Sequence, residues 1–350
     1  MTPRQPITVG PPAAELSRGQ DPAVEVDGVV KTYGSGAKAV TALAGVSFTV
    51  PAGSVFGLLG PNGAGKSTTV KILTTLTRAD AGIARVAGLD VHRDASGVRR
   101  AIGYVSQKPG FDPLGTGREN LVLQGRIHGL SSRAALRRAD ELLVRFGLTD
   151  AANRLTGKWS GGMQRKLDVA MGLVHRPQVL FLDEPTTGLD PEARSEMWAE
   201  ISGLAQDDGL TVLLTTHYLE EADNLADQLV IIDQGRIVAA GTPDDLKGRL
   251  EGDTVHIQLA NSDASATVQR LLDSIPGVRQ VVVDGPAVRA QVADGAAALP
   301  TVLSTLDGAG VALAAVTAAR PSLDDVYLRY AGRSFRYADD AAAGDTTKVA

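Results

Sequence analysis

The segment "GPNGAGKST" gathers glycines, a lysine and two hydroxyls into one short run: Gly60, Pro61, Asn62, Gly63, Ala64, Gly65, Lys66, Ser67 and Thr68. Gly60, Gly63 and Gly65 let the backbone turn with its N–H groups aimed inward, so a phosphate meets donors and no side chain blocks it. Lys66 is then placed to reach β- and γ-phosphates, and Ser67 to offer a hydroxyl to Mg2+. A glycine turn beside a surface lysine has the same letters. Context separates the two: an apolar strand, "VFGLL", precedes the loop and a helix containing "TTVKIL" follows it.

"VLFLDEP" supplies acids. A buried strand ending in Asp183 brings a carboxylate to the carboxyl edge of an open sheet, where ligands of α/β folds lie. Asp183 is expected to partner Mg2+ through water, leaving Glu184 to polarise an attacking water. His217, closing "TVLLTTH", reaches the same edge and is suited to a γ-phosphate and the water in line with it. Gln107, closing "AIGYVSQ", offers a neutral amide to Mg2+ or its water, and Tyr33 in "VVKTYGSG" reads as an exposed loop aromatic fit to stack on a purine. Each of these four signals has an ordinary structural explanation when taken alone. Their conjunction with the phosphate loop selects the chemical one.

A second anion site follows in "KWSGGMQRKLDVA". Ser160, Gly161 and Gly162 stand before a mostly apolar helix over Met163 to Val174, and free N–H groups at a helix start attract anions. This site has neither a Lys-Ser pair nor a nearby carboxylate for a metal.

The elements that must position these groups alternate, strand then helix, from about Val24 to Ala240, which predicts an α/β arrangement. The expected strands are 55–59, 101–105, 178–182, 211–215 and 228–233, several continuously apolar as in parallel sheets covered on both faces. Between Pro113 and Lys158 the pattern turns helical, with Leu136, Leu143 and Phe146 spaced to share a face. Beyond "GTPDDL" a different pattern begins, strand–helix–strand–strand–helix–strand, the order of a split βαβ, ferredoxin-like module, and a last helix follows in "SLDDVYLRYAG". The expected division is a tail over 1–22, a first domain over 23–246 with a helical part at about 113–175, a second domain over 253–335, and a tail over 336–350.

Bulk properties narrow the class. With 350 residues the chain has room for more than one core, and a net charge of −5 gives no overall basic field for nucleic acid. The absence of cysteine excludes disulfides and thiolate chemistry and fits a reducing compartment. No apolar run approaches the roughly 20 residues that span a bilayer, and the first 22 residues lack the pattern of a signal peptide.

Phosphate loop, Gln107, "SGG", "LFLDEP", "TGLD" and "TTH", in this order, make residues 24–245 resemble a complete nucleotide-binding domain of an ATP-binding cassette (ABC) ATPase. The resemblance implies a P-loop NTPase fold with a helical subdomain, and ATP hydrolysis with ATP and Mg2+. It makes Tyr33 the adenine-stacking aromatic, Gln107 the coupling-loop glutamine, Ser160 to Gly162 the heart of the signature motif, Gly188 to Asp190 the D-loop and His217 the switch histidine. It also explains the second anion site: two copies, or this chain and a paralogous ATPase, pair head to tail, and each signature closes on the other's γ-phosphate. "PSLDDVYLRYAGRSF" (321–335) is similar to the C-terminal extension of daunorubicin-resistance-type drug exporter ATPases. By that likeness the chain works at the cytoplasmic face of a membrane with separate polytopic permease subunits, for hydrophobic drugs or lipid-like compounds, and without nucleic acid. A soluble ABC ATPase of DNA repair or translation and an importer ATPase are the alternatives. Two positions depart from the common signature, Trp159 in place of Leu and Met163 in place of Gln; Met163 is usual in the daunorubicin-type subgroup, whereas Trp159 is less so, a bulky side chain at the site entrance whose effect on packing the sequence does not define.

Overall fold

The run "VLFLD" is apolar without alternation because both its faces are covered: Leu180 and Leu182 enter one hydrophobic core, Val179 and Phe181 another. In the computed structural model, which describes residues 21–250, 252–260 and 265–331, this strand is β7 (Val179–Asp183). It belongs to a six-stranded sheet ordered β10 (Arg236–Gly241), β9 (Gln228–Asp233), β3 (Val55–Leu59), β8 (Thr211–Thr216), β7 and β6 (Ile102–Val105). All neighbours are parallel except β10, which runs antiparallel to β9. Parallel alignment puts the carboxyl ends of β3, β6, β7 and β8 along one edge, where the phosphate loop, Gln107, Glu184 and His217 begin.

The first core lies between this sheet and a helical layer made of α3 (Gly117–Ile127), α4 (Ser132–Arg145), α5 (Gly161–Gly172) and α6 (Pro191–Gln206). Each of these helices starts at a side-chain cap that satisfies an otherwise open N–H. Thr116 and Glu119 form a reciprocal capping box on α3, Ser131 caps α4, Ser160 caps α5, and Asp190 caps α6 just ahead of Pro191. In α4 the buried stripe is Ala135, Ala139, Leu142 and Leu143, continued by Phe146. Leu136, expected on that stripe, is 46% exposed; the seam is set by the small Ala135 and Ala139, which admit the neighbouring helix closely.

The second core lies on the opposite face, beneath α1 (Lys66–Leu73), α2 (Ala95–Ala101) and a second sheet. That sheet is antiparallel and ordered β2 (Val40–Val50), β1 (Val24–Tyr33), β4 (Ala81–Val86) and β5 (Leu89–Asp90). The five parallel strands occur within a residue of their expected limits, but this antiparallel layer was hidden from an alternating α/β pattern. Register breaks between Val26 and Val29 and again beyond Lys31 shift which side chains face inward, which erases the period of two on which a strand is recognised. α7 (Leu219–Leu225) completes the first compact unit, which ends at Thr242.

The second unit starts at Pro243 with α8 (Pro243–Gly248) and runs β11 (Asp253–Leu259), α9 (Ser265–Asp273), β12 (Val278–Asp284), β13 (Ala287–Val292), α10 (Gly295–Gly308) and β14 (Leu313–Ala319). The antiparallel sheet is ordered β12-β13-β11-β14, so β11 and β12 flank β13 in a split arrangement, with the element order read from the sequence. Its core joins Val255, Ile257 and Leu259 to Val268, Leu272, Val302 and Leu306 of the two crossing helices. α11 (Leu323–Ala331) reaches the other sheet face through Arg329 to Gln280 and Asp325 toward Arg289. Residues 1–20 and 336–350, expected as tails, and 332–335 of the C-terminal extension lie outside the described residues. Among the described residues no helix is long and apolar enough to cross a membrane.

Candidate functional site

The turn from β3 into α1 is held by crowding on two sides. A Cβ on Gly60 would stand 2.2 Å from the carbonyl oxygen of Ile232 at the end of β9. Gly65 has φ +115°, and a Cβ there would meet the Ala42 carbonyl at 2.7 Å and Leu43 Cδ2 at 2.8 Å. The loop is therefore braced between a strand of the parallel sheet and one of the antiparallel sheet. Gly60→Ala is expected to lower stability by about 1–3 kcal/mol, the scale of overpacking, seen as a drop in Tm, and to weaken nucleotide binding because the loop must move off Ile232.

Lys66 is 4% exposed and donates to the carbonyls of Gly60 at 2.6 Å and Pro61 at 3.3 Å. Burial pulls its ammonium below the usual lysine range, against the raising pull of Glu184 and Asp183. An ammonium already stripped of water exchanges carbonyl for phosphate oxygens without a further desolvation cost. Ser67 is exposed in the first turn of α1, while Thr68 is half-buried.

One threonine of β8 sets both carboxylates. Thr215 Oγ1 donates to Asp183 Oδ1 at 2.6 Å and accepts from the Glu184 backbone N–H at 3.1 Å. Glu184 itself has φ +49°, left-handed backbone that costs a side-chain-bearing residue energy and turns its carboxylate away from the path of β7. Three of the residues singled out in the sequence then converge on it. Gln107 Nε2 donates to Glu184 Oε2 at 3.0 Å. Lys66 Nζ lies 3.8 Å from Oε1, and His217 Nδ1 lies 3.1 Å from the same oxygen, out of hydrogen-bond alignment. Burial pushes the Glu184 carboxyl up, but His217, Lys66 and Thr187 together outweigh it and hold the group below its ordinary value. A carboxylate that stays ionised beside a lysine and a histidine can take a proton from a bound water.

Other expected residues bond elsewhere. Tyr33 is not in a loop: it ends β1, pairs with Val40, is 42% exposed and carries Lys31 Nζ 5.4 Å from its ring centre. Asp190 spends its carboxylate on the Ala193 N–H, and Ser160 its hydroxyl on the Met163 N–H. Because Ser160 only accepts in that bond, its O–H remains a donor, and with the backbone groups of Gly161 and Gly162 it stands at the start of α5. Trp159 packs inward. It is 6% exposed, belongs to the first core, and covers Gly117, where a Cβ would stand 2.3 Å from its ring.

Arg165 carries no signal in the sequence. This buried guanidinium of α5 donates to the carbonyls of Ser106, Asp183, Glu184 and Pro185, tying the helix to the ends of β6 and β7. In sequence it is one arginine in a basic run, and only a buried position on the helix face would have marked it.

Residues 43–187 match the family model "ABC transporter", and 241–331 match "ATP-binding protein DrrA1-3-like, C-terminal domain". A daunorubicin resistance ATP-binding protein of Streptomyces coeruleorubidus is 45% identical over 92% of this chain and 99% of its own length. The chain belongs to the ABC transporter ATP-binding family. A doxorubicin resistance ATP-binding protein of Mycobacterium tuberculosis is 47% identical over 89% of this chain and 94% of its own. Among solved structures, an ATP-binding cassette captured as a post-hydrolysis dimer with ADP and Pi is 27% identical with TM-score 0.57, over 63% of this chain and 98% of that one.

As an ABC ATPase the chain binds and hydrolyses ATP. The donor set fits a hard divalent cation, since Ser67, Asp183 and Gln107 offer only a hydroxyl, a carboxylate and an amide oxygen. Among the described residues no cluster of three histidine or acidic side chains forms a metal cage.

Proposed function

We propose that this ABC ATPase is the energy-supplying subunit of a multicomponent exporter. It closes head to tail, with a second copy or a paralogous ATPase, around two ATP, and drives a hydrophobic drug-like or lipid-like compound out through separate polytopic membrane subunits. It sits peripherally at the cytoplasmic face of that membrane. The observation that carries the exporter assignment is the extent of the likeness: both the cassette and the second unit align with proteins named for daunorubicin and doxorubicin resistance, across nearly their whole length.

In this reading the N–H groups of 60–68 and the ammonium of Lys66 hold the phosphates, Tyr33 stacks on adenine, and Ser67, Asp183 and Gln107 hold Mg2+. When bound, Mg2+ neutralises charge on the β- and γ-phosphates. Glu184 takes the proton of the attacking water, and His217 keeps the γ-phosphate and that water in line. Ser160, Gly161 and Gly162, with the Asp190 turn beside them, complete the partner's site, since a helix start is a ready anion site and this one has no metal-binding residues of its own. Purified from membranes under mild detergent, the tagged chain is expected to bring down a polytopic membrane protein. Recovery with ribosomes or DNA, and no membrane protein, would overturn the exporter assignment and favour a soluble ABC ATPase of translation or repair.

A further inference from the structure

Two residues of α5 grip the loop that carries Gln107, one at each end. Arg165 donates through Nη1 to the Ser106 carbonyl at 2.7 Å, immediately before Gln107. One turn later on the same helix face, Asp168 Oδ1 accepts the Gly110 N–H at 2.9 Å, three residues past Gln107. Both side chains are buried, at 8% and 6% exposure, and they face each other at 3.9 Å.

The remaining nitrogens of Arg165 hold the carbonyls of Asp183, Glu184 and Pro185, at 3.2, 3.3 and 2.7 Å. Its four acceptors therefore come from two segments far apart in sequence, joined by one planar fork that a lysine could not reproduce. A guanidinium serving packing alone would need no such span. The two segments meet again through side chains, where the Gln107 amide donates to Glu184. One turn before Arg165, at the N-terminus of the same helix, stand Gly161 and Gly162, the outward-facing donors.

We propose that Arg165 and Asp168 are positioning residues for ATP hydrolysis, a two-point strap that makes the Gln107 loop, the Glu184 turn and the donor end of α5 take one position together. The inference rests on the assignment of Gln107 and Glu184 given above. A shift of the loop, whatever moves it, then tilts α5 and re-aims the donors offered to the partner's nucleotide. Closure of those donors conversely seats Gln107 against Glu184.

The test uses the full chain, steady-state ATPase assays and titration with a fluorescent ATP analogue. Arg165→Gln is expected to lower kcat about 10- to 100-fold, the scale of a small misplacement of reacting groups, while affinity for the analogue changes by no more than about twofold. In the Gln107→Ala background the same substitution is expected to lower kcat by no more than about twofold further, because coupled positions are not additive. Asp168→Asn, which keeps an acceptor for the Gly110 N–H, is expected to retain most turnover, and Asp168→Leu to lose it. The strap is overturned if the Arg165→Gln and Gln107→Ala losses multiply, if analogue affinity falls along with kcat, or if Asp168→Asn is as damaging as Asp168→Leu. Should Arg165→Gln fail to fold, Asp168→Leu combined with Gln107→Ala runs the same cycle. Normal turnover by Glu184→Gln would instead remove the underlying site assignment, whereas an inactive Glu184→Gln with multiplying losses removes only the strap.

Discussion

Glu184→Gln should bind ATP normally and turn it over roughly 10²-fold more slowly or worse, the usual loss on removing a general base. The geometry makes this a clean exchange. The backbone of residue 184 is fixed from outside its side chain, by the Thr215 hydroxyl and carbonyl on its N–H and by Arg165 on its carbonyl, so the left-handed turn survives. The amide oxygen can still accept from Gln107, but a neutral amide cannot take a proton from water. With hydrolysis stopped and the phosphates still bound, the closed pair should accumulate, visible as an ATP-dependent dimer on size-exclusion chromatography. Normal ATPase rates in this variant would show that the base lies elsewhere. The pH profile adds a second check. Because the Glu184 carboxyl is held below its ordinary value, its activity is complete above the usual carboxylate range and is lost only as pH falls through the depressed value. Any loss of kcat/KM, the parameter that reports the unliganded protein, nearer neutrality must come from another group.

Lys66→Ala acts on binding. The ammonium is the only side-chain cation within the loop, and hydrogen bonds to charged groups contribute about 1.5–3 kcal/mol, so the dissociation constant for a fluorescent ATP analogue should rise roughly 10- to 100-fold. The substitution also removes one of the groups that hold the Glu184 carboxyl down. The sign follows directly. A depressed carboxyl contributes stability that is present above its unfolded pKa and lost as pH falls through its folded one, so losing Lys66 moves that loss to higher pH. Unchanged affinity in the titration would mean that the loop N–H groups alone set nucleotide binding.

The two features that mattered most for the site were legible in unequal measure. A parallel strand announces itself because both faces are apolar, and the residue after it must lie at the sheet's ligand edge; Asp183, Glu184, Gln107 and His217 were all found that way. The antiparallel layer was not, since bulges in β1 break the alternation, and with it went the location of Tyr33 on a strand end. Arg165 and Thr215 were invisible for a different reason. Their work is done on backbone carbonyls and on a neighbour's carboxylate, and a sequence does not show which carbonyls will face a given helix. Trp159 was singled out for its bulk, but its consequence depended on Gly117, a partner from another helix.

The position of β3 in the sheet has a consequence for how the protein is made. The strand that delivers the phosphate loop lies between β8 and β9, and the Ile232 carbonyl that crowds Gly60 is among the last parts of the first unit to be synthesised. At translation rates of about 5–20 residues per second, the loop waits roughly 10–35 s on the ribosome before its second flanking strand arrives. A nascent chain stopped before β9 would carry every residue of the phosphate motif without the strand that flanks β3 and abuts Gly60.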